Sequence, residues 1–177
     1  STSRRQRQMC IRDRAYDFVP GYVKEQLQDY LEPKRGICYM DRTLCPDPFH
    51  DGEDYLNEVF FGAQCYDLID RSMQAILEYD DEYSAHDWRS LVQMCDHKYL
   101  MRKRYQYMVQ HGYAAMDDTL HEELETLEKE SLIAQNMYIK YTVTDDLETI
   151  RRLRERLQAM KQKDICATKT LISLVEA

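Results

Sequence analysis

This chain of 177 residues contains six cysteines, which are its chemically most versatile residues: Cys10, Cys38, Cys45, Cys65, Cys95 and Cys166. Cysteine thiols form disulfides, bind metal ions or act as nucleophiles. Six cysteines allow fifteen pairings, so their number alone does not define a disulfide pattern. Their spacing from one another and from the histidines decides which chemistry the sequence favours.

The cysteines and histidines do not form a zinc-binding pattern. Structural zinc needs four ligands, usually in two closely spaced pairs, and Cys95 has only His97 and His86 nearby. Cys95 and His97 are also a poor nucleophile–base pair, because residues two apart on a helix do not face each other. The acids between His50 and Asp54 precede a predicted helix, where negative charge complements the helix dipole. We therefore expect no enzyme activity, no metal and no cofactor.

The composition excludes several other classes of protein. The chain has 24 Lys and Arg against 32 Asp and Glu, a net charge of -8, which argues against general nucleic-acid binding. With 5 Gly and 4 Pro it lacks the turn residues of a β-sandwich and any glycine-rich phosphate loop. No uncharged apolar run reaches the ~18–20 residues that span a bilayer. A small-molecule substrate is not expected either.

Helical periodicity dominates the sequence and predicts an all-α fold. The predicted helices cover residues 21–32, 52–78, 84–111, 119–141 and a last segment that begins near 147. The first helix ends before Pro33, and residues 33–52 read as an irregular connector. The sequence thus divides into an N-terminal arm and connector (1–51), a helical hairpin (52–112) and a C-terminal helical extension (113–177).

Each long helix has an apolar stripe at steps of three or four residues. In the helix over 52–78 the stripe contains Tyr55, Val59, Gly62, Tyr66, Ile69, Met73 and Ile76. In the next helix the expected inward residues are Trp88, Leu91, Val92, Cys95 and Tyr99. The third stripe contains Leu120, Leu124, Leu127 and Leu132. The last contains Leu147, Ile150, Leu153, Leu157 and Met160.

The ends of the helices carry recognisable capping residues. Thr119 and Glu122 form a predicted capping box, and Gly112 is a predicted C-terminal cap. Residues 144–146 are predicted to cap the last long helix. The closing stretch, 165–177, is mildly apolar, and we expect it to pack on a partner.

One cysteine pair fits the predicted hairpin. Cys65 and Cys95 lie equidistant from Asp80, in the middle of the predicted turn, and antiparallel helices bring such residues side by side. A disulfide requires Cα atoms ~4.4–6.8 Å apart, which facing helices can provide. The alternative is that both are reduced thiols buried as small apolar residues. We also expect a bridge between Cys38 and Cys45, which flank a predicted turn.

Ten residues inward from Cys65 and Cys95 the chain has Ala75 and Ala85, so the hairpin resembles a twin Cys-x9-Cys (CHCH-type) hairpin that keeps only its outer cysteines. The hairpin also resembles a CHCH-type accessory subunit of mitochondrial NADH:ubiquinone oxidoreductase (complex I) in the residues around its second cysteine. The similar runs are His86-Asp87-Trp88 and Cys95-Asp96-His97-Lys98-Tyr99. The resemblance covers about residues 62–107. It implies a disulfide-linked antiparallel hairpin and a peripheral position on the intermembrane-space side of the inner membrane.

Two charged surfaces are candidates for partner binding. Lys98, Arg102, Lys103 and Arg104 are expected to form a basic patch on the exposed side of the second hairpin helix, able to bind an acidic partner or anionic lipid headgroups such as those of cardiolipin. Residues 117–148 contain ten acids against two lysines. This acidic segment is expected to dock on basic surfaces, including the chain's own patch.

These observations predict a non-catalytic accessory subunit of the respiratory chain that supports assembly and stability by binding other subunits of a large membrane complex. Complex I is the complex that the resemblance implies. Two alternatives remain: a viral or cytosolic helical interaction module with reduced cysteines, and an accessory subunit of mitochondrial ATP synthase. Five arginines among the first fourteen residues fit either a targeting segment or a solvated basic arm.

Overall fold

The computed structural model of the protein describes residues 19–32, 62–79 and 89–175. These ranges contain five α-helices, which are α1 (Pro20–Leu31), α2 (Cys65–Tyr79), α3 (Arg89–Gln110), α4 (Asp118–Thr144) and α5 (Leu147–Leu174). A short 3-10 turn, Gly62–Gln64, precedes α2. The predicted all-α fold is confirmed. The predicted turn at Asp80, the helical residues 52–61 and the bridge between Cys38 and Cys45 lie outside the described residues.

The four longer helices pack side by side, and cross-helix ion pairs give their directions. Arg102 of α3 pairs with Glu128 of α4, and Arg156 of α5 pairs with Glu130. α2 runs antiparallel to α5, since Asp67 pairs with Lys161 and Asp70 with Arg154. The shorter α1 packs against α5 and the 3-10 turn. Buried residues from all five helices form one hydrophobic core cluster.

The predicted apolar stripes of α2 and α5 are confirmed. Tyr66, Ile69, Met73 and Ile76 of α2 are all buried. On α5 the residues from Ile150 to Met160 that were expected to face inward are at most 1% exposed. A regular spacing of three or four residues was sufficient to identify these faces, because the inward positions of α2, and those of α5 from Ile150 to Met160, hold apolar or aromatic side chains.

The inward face of α3 differs from the prediction. Its buried residues are Leu91, Met94, Lys98, Met101, Tyr105 and Met108, whereas Tyr99 is 45% exposed. Val92 and Cys95 are half-buried at the side of the helix. The prediction chose the wrong face of α3 because the face that is buried contains a lysine, Lys98. Local hydropathy disfavours an inward lysine, and its burial depends on a partner 66 residues away.

α4 also departs from the prediction in two places. Leu132 is 54% exposed, and Ser131 occupies the buried position instead. The step from Leu127 to Leu132 is five residues, which places Leu132 off the face that Leu127 occupies. The helix begins two residues earlier than the predicted capping box, because Asp117 is the N-cap and accepts a hydrogen bond from the Leu120 N–H at 2.8 Å.

The connection between α3 and α4 is closed by backbone and side-chain hydrogen bonds. Gly112 adopts φ +72° and forms the predicted C-terminal cap, with the N–H of Tyr113 bound to the carbonyl of Met108. The N–H of Ala115 donates to the carbonyl of Leu174 at 3.0 Å, which ties the end of α5 to this loop. The closing stretch of the chain, expected to pack on a partner, instead continues α5 and enters the protein's own core as far as Val175.

Candidate functional site

The expected disulfide between Cys65 and Cys95 is not shown by the structure, in which both residues are thiols. Cys65 is exposed at the start of α2, and its pKa is raised by burial of the thiol and partly restored by Lys98. The pKa of Cys95 is raised by burial, and a hydrogen bond to Ser131 of α4 lowers it. The two thiols therefore lie against different neighbours.

A side chain of α3 nevertheless reaches the start of α2. The Nζ of Lys98 lies 5.2 Å from the centre of the Tyr66 ring, so Lys98 rather than Cys95 is opposite the start of α2. Cys95 is three residues away from Lys98, almost one helical turn. The structure therefore does not show the predicted pairing of these two helices, because α2 packs mainly on α5 and α3 mainly on α4.

The predicted basic patch needs one correction, because Lys98 is not exposed. It is 2% exposed and lies in the core, where its Nζ is 2.5 Å from Oδ2 of Asp164. A lysine is buried in this way when a carboxylate and hydrogen bonds replace its hydration. Lys98 is therefore unable to bind a partner protein or a lipid headgroup.

The other three residues of the predicted basic patch differ in whether their charge is free to bind a partner. Arg102 pairs with Glu128, and this contact raises its pKa. The prediction that the acidic segment docks on the chain's own basic residues is confirmed for this pair. Lys103 and Arg104 are exposed and form no ion pair among the described residues. The cationic surface that remains for a partner is thus formed by these two residues.

The most distinctive polar arrangement is a buried cluster of Lys98, Asp164 and Tyr30. Lys98 Nζ donates to Asp164 and also to Tyr30 Oη at 2.9 Å, and the Tyr30 hydroxyl donates to the same Asp164 oxygen. Each member thus bonds to the other two. The cluster joins α1, α3 and α5, and it satisfies the charges inside the bundle.

Tyr66 extends this cluster, and both of its tyrosines, Tyr30 and Tyr66, remain protonated. Burial and the Asp164 carboxylate raise the pKa of Tyr30 and of Tyr66 far above the usual range. The Tyr66 ring contacts the Lys98 ammonium, but its hydroxyl is buried with no hydrogen-bond partner among the described residues. Both tyrosines are therefore hydrogen-bond donors rather than phenolates near neutral pH.

His97 closes the outer side of the cluster. Its ring stacks on Tyr30 with 5.0 Å between ring centres, and its Nδ1 lies 3.5 Å from Lys98 Nζ. Burial, reinforced by the positive charge of Lys98, lowers the pKa of His97 to about 4. The imidazole is therefore neutral at physiological pH and adds no second positive charge beside the lysine.

The close approach of α1 to the 3-10 turn holds Tyr30 in place. Gly62 adopts φ +54°, and a Cβ atom there would lie 2.1 Å from the Tyr30 carbonyl oxygen. Only glycine fits this contact, because it has no Cβ and tolerates a positive φ. The turn before α2 thereby fixes the end of α1 and the position of the Tyr30 hydroxyl.

Sequence reasoning did not single out Tyr30, Tyr66 or Asp164 as parts of a cluster. A signal was nevertheless present in the helical register. Asp164 continues the inward stripe of α5, and Lys98 lies on the inward stripe of α3. Opposite charges at inward positions of two helices indicate a buried pair, although the sequence alone does not show that those two helices meet.

An apolar groove of about 610 Å³ lies between α1 and α3. Its floor is formed by the core residues Leu27, Met101, Met108 and Leu171. Lys103 and Arg104 of α3 stand at its edge, and no acidic side chain lines it. The groove thus combines an apolar floor with a cationic rim in a protein whose net charge is -8.

The outer face of α4 changes from acidic to apolar along its length. Its first half exposes Glu122 and Glu123. Its second half exposes four large apolar residues, Leu132, Ile133, Ile139 and Val143, of which Val143 is 79% exposed. We call these four residues the α4 apolar stripe. Leu132, Ile139 and Val143 recur at steps of seven and four residues and therefore share one face of the helix. Exposed apolar residues that share a helix face are typical of protein–protein contacts.

The described part of the chain offers no group of His, Cys, Asp and Glu side chains arranged to hold a metal ion. Nor does any helix within residues 19–32, 62–79 and 89–175 have the length and apolarity required to cross a membrane. Comparison of the chain with protein-family models, curated proteins and solved structures finds no match. The functional proposal therefore depends on the residues and geometry of this protein.

Proposed function

We propose that this protein is a non-catalytic helical subunit that binds other subunits of a larger protein assembly through its surface. The observation that carries the proposal is the α4 apolar stripe, which leaves Leu132, Ile139 and Val143 exposed on one helix face. Removing apolar surface of this kind from water favours association with a partner. Glu122 and Glu123, nearer the start of the same helix, favour a partner that also carries basic residues.

The buried polar cluster supports a structural role. Lys98, Asp164 and Tyr30 are bound to one another, and the tyrosines stay protonated, so the cluster stabilises helix positions. The thiols of Cys65 and Cys95 both have a raised pKa, which disfavours the reactive thiolate. The most unusual ionisable groups of the described chain thus have structural explanations.

We assign the assembly, as part of the same proposal, to the mitochondrial respiratory chain, with the complex I membrane arm on the intermembrane-space face as the favoured site. The support is the resemblance over residues 62–107 to a CHCH-type accessory subunit. In this form of the proposal Cys65 and Cys95 are joined by a disulfide after import. Forming that disulfide requires the Cα atoms of Cys65 and Cys95 to lie ~4.4–6.8 Å apart.

A second candidate is a viral or cytosolic helical interaction module with reduced cysteines. It is favoured by a specific observation, which is that Cys95 lies against Ser131 of α4 while Cys65 lies near Lys98. An accessory subunit of ATP synthase is the remaining alternative, and it shares the structural role and the mitochondrial location.

Alkylation of the native protein before and after reduction separates the first two candidates. A peptide pair linking Cys65 to Cys95 that disappears on reduction supports the intermembrane-space assignment. Direct alkylation of both thiols in the untreated protein contradicts that assignment and favours the reduced module. Cys166, an exposed cysteine of α5, serves as an internal control for reagent access.

Affinity purification tests the binding surface itself. The double variant Ile139→Asp and Val143→Asp places charge on the α4 apolar stripe, whereas Thr126→Asp does so on an exposed position of the same helix outside the stripe. We expect the double variant to lose its co-purifying subunits and Thr126→Asp to retain them. Equal recovery of subunits with all three chains would contradict the proposed surface.

A further inference from the structure

We infer that the groove between α1 and α3 binds a long-chain fatty acid, with its acyl chain on the apolar floor and its carboxylate at Arg104. This inference goes beyond the proposed structural role and does not depend on it. It starts from the separation of α1 and α3. Both helices border α5, yet a space of about 610 Å³ lies between them. That volume falls within the ~300–1,000 Å³ typical of small-molecule sites.

The floor of the groove suits an acyl chain. Leu27 of α1, Met101 and Met108 of α3 and Leu171 of α5 line it and belong to the core. Methionine side chains are flexible and adapt to irregular apolar ligands. Tyr22 and Tyr107 line the groove as well and are 61% and 52% exposed. An acyl chain would cover apolar surface that these residues leave in contact with solvent.

The charge at the rim selects the headgroup. Lys103 and Arg104 line the groove, and neither forms an ion pair among the described residues. His97, the other basic residue of the lining, has a pKa of about 4 and is neutral. The Lys103 Nζ lies 5.6 Å from the centre of the Tyr99 ring and donates to Gln106, two residues that do not line the groove, so Arg104 supplies the charge for a ligand. Because no acidic side chain lines the groove, it complements a carboxylate and disfavours a cationic amphiphile.

The register of α3 places Arg104 on the helix face that lines the groove. His97, Leu100, Arg104 and Tyr107 all line it and recur at steps of three or four residues, so they share one face of the helix. Arg104 lies between Leu100 on one side and Tyr107 on the other. A guanidinium binds a carboxylate through two parallel hydrogen bonds. The acyl chain then extends from Arg104 along the apolar floor.

Calorimetric titration of the full chain with a matched set of ligands below their micellar concentrations tests the inference. Dodecanoate has both the tail and the charge, dodecanol has the tail alone, and butyrate has the carboxylate with almost no tail. We expect saturable one-to-one binding of dodecanoate, binding of dodecanol that is about fivefold weaker, and no measurable binding of butyrate.

Variants identify the site. Arg104→Glu should weaken dodecanoate binding by about fivefold or more and leave dodecanol binding unchanged, because only the charge contact is lost. Lys163→Glu makes the same change in charge on an exposed position of α5 outside the groove and should have no effect. Leu100→Asp, at a position that is 46% exposed, should weaken both ligands. Thermal unfolding of each variant confirms that the fold is retained.

Several results would overturn the inference. These are no saturable binding of dodecanoate, equal affinity for dodecanoate and dodecanol, or an equal loss on Lys163→Glu and Arg104→Glu. Binding to vesicles of phosphatidylcholine and cardiolipin without binding of monomeric dodecanoate would overturn it too, since it would indicate a membrane surface. None of these results affects the proposed binding of protein subunits, which is measured by affinity purification.

Discussion

Lys98 of α3 and Asp164 of α5 form an ion pair inside the helical bundle, with 2.5 Å between Nζ and Oδ2 and both side chains at most 4% exposed. The pair joins two helices that are not consecutive in the chain. Tyr30 binds both members and thereby attaches α1 to the same point. This buried polar cluster thus links three helices at one point.

Removing one member of this pair should destabilise the protein strongly. Asp164→Leu leaves the Lys98 charge buried without its carboxylate, and we expect a loss of about 3–5 kcal/mol in the free energy of unfolding. The double variant Lys98→Met and Asp164→Leu should recover most of that loss, because neither charge remains. Urea denaturation measures the free energy of unfolding of both variants.

Arg152→Gln, which breaks an exposed pair with Glu148, is the control and should change stability by less than about 1 kcal/mol. A double variant as unstable as Asp164→Leu alone would show that the charge pairing is not the cause.

His97 should make stability depend on pH. Its pKa is about 4 in the folded chain, mainly through burial and then through Lys98, with Arg104 acting in the same direction and Asp164 opposing it. In the unfolded chain its pKa is about 6.5. The unfolded state therefore binds more protons between these values, so the free energy of unfolding falls as pH is lowered from about 6.5 to 4. The full effect of this one group is roughly 3 kcal/mol.

The variant His97→Phe isolates this contribution because it keeps a ring that stacks on Tyr30. We expect its stability to vary less with pH than that of the wild type over the window from about 6.5 to 4.5, above the range in which most carboxylates titrate. His111→Phe is the matched control, since His111 is exposed. Identical pH profiles for wild type and His97→Phe would contradict a buried, neutral His97.

Gly62→Ala tests the contact between the 3-10 turn and α1. An added Cβ would lie 2.1 Å from the Tyr30 carbonyl oxygen, at a φ of +54° that alanine disfavours. We expect a loss of about 2 kcal/mol or more in the free energy of unfolding, from left-handed strain and displacement of the backbone. Gly21→Ala makes the same change inside α1, where nothing lies within 4 Å. It should be neutral or stabilising by up to about 1 kcal/mol. Equal effects of the two substitutions would argue against the close approach.

Tyr105→Phe tests the closure of the loop between α3 and α4. The buried Tyr105 hydroxyl accepts a hydrogen bond from the Asp117 N–H at 2.7 Å and lies 3.3 Å from the Ala115 carbonyl oxygen. Its removal leaves a backbone donor without its partner, which costs about 1–3 kcal/mol. Tyr107→Phe, at a position that is 52% exposed, should change stability by less than about 0.5 kcal/mol. If thermal unfolding shows the same midpoint for both variants, the loop does not depend on this hydroxyl.

Sequence reasoning was most accurate where local pattern and tertiary packing agree. The faces of α2 and α5, the cap at Gly112 and the N-cap at Asp146 follow from apolar spacing and capping chemistry alone. It was wrong at Leu132, because leucine was treated as buried despite a five-residue step from Leu127. The register of α3 places Lys98 at an inward position, but that helix alone could not show that a charged side chain would be buried there. Its burial depends on Asp164 and Tyr30, which are distant in the sequence and meet it only in the folded bundle.

The candidate binding surfaces were predictable to different degrees. Lys103 and Arg104 were recognised as cationic and are exposed, whereas the groove beside them requires α1 to lie apart from α3. The α4 apolar stripe could be predicted only in part, since Leu132 was assigned to the core and the register of the helix is needed to place it on the surface. Surfaces formed by two helices depend on interhelical distances that apolar periodicity does not specify.

The native size of the endogenous protein shows whether this chain is a structural subunit of a larger assembly, as we propose. Membranes from the source cells would be solubilised in mild detergent and separated on a native gel, and each slice would be analysed by mass spectrometry. We expect this protein to comigrate with the subunits of NADH:ubiquinone oxidoreductase. Its presence solely at the size of the isolated monomer would rule out a stable place in such an assembly.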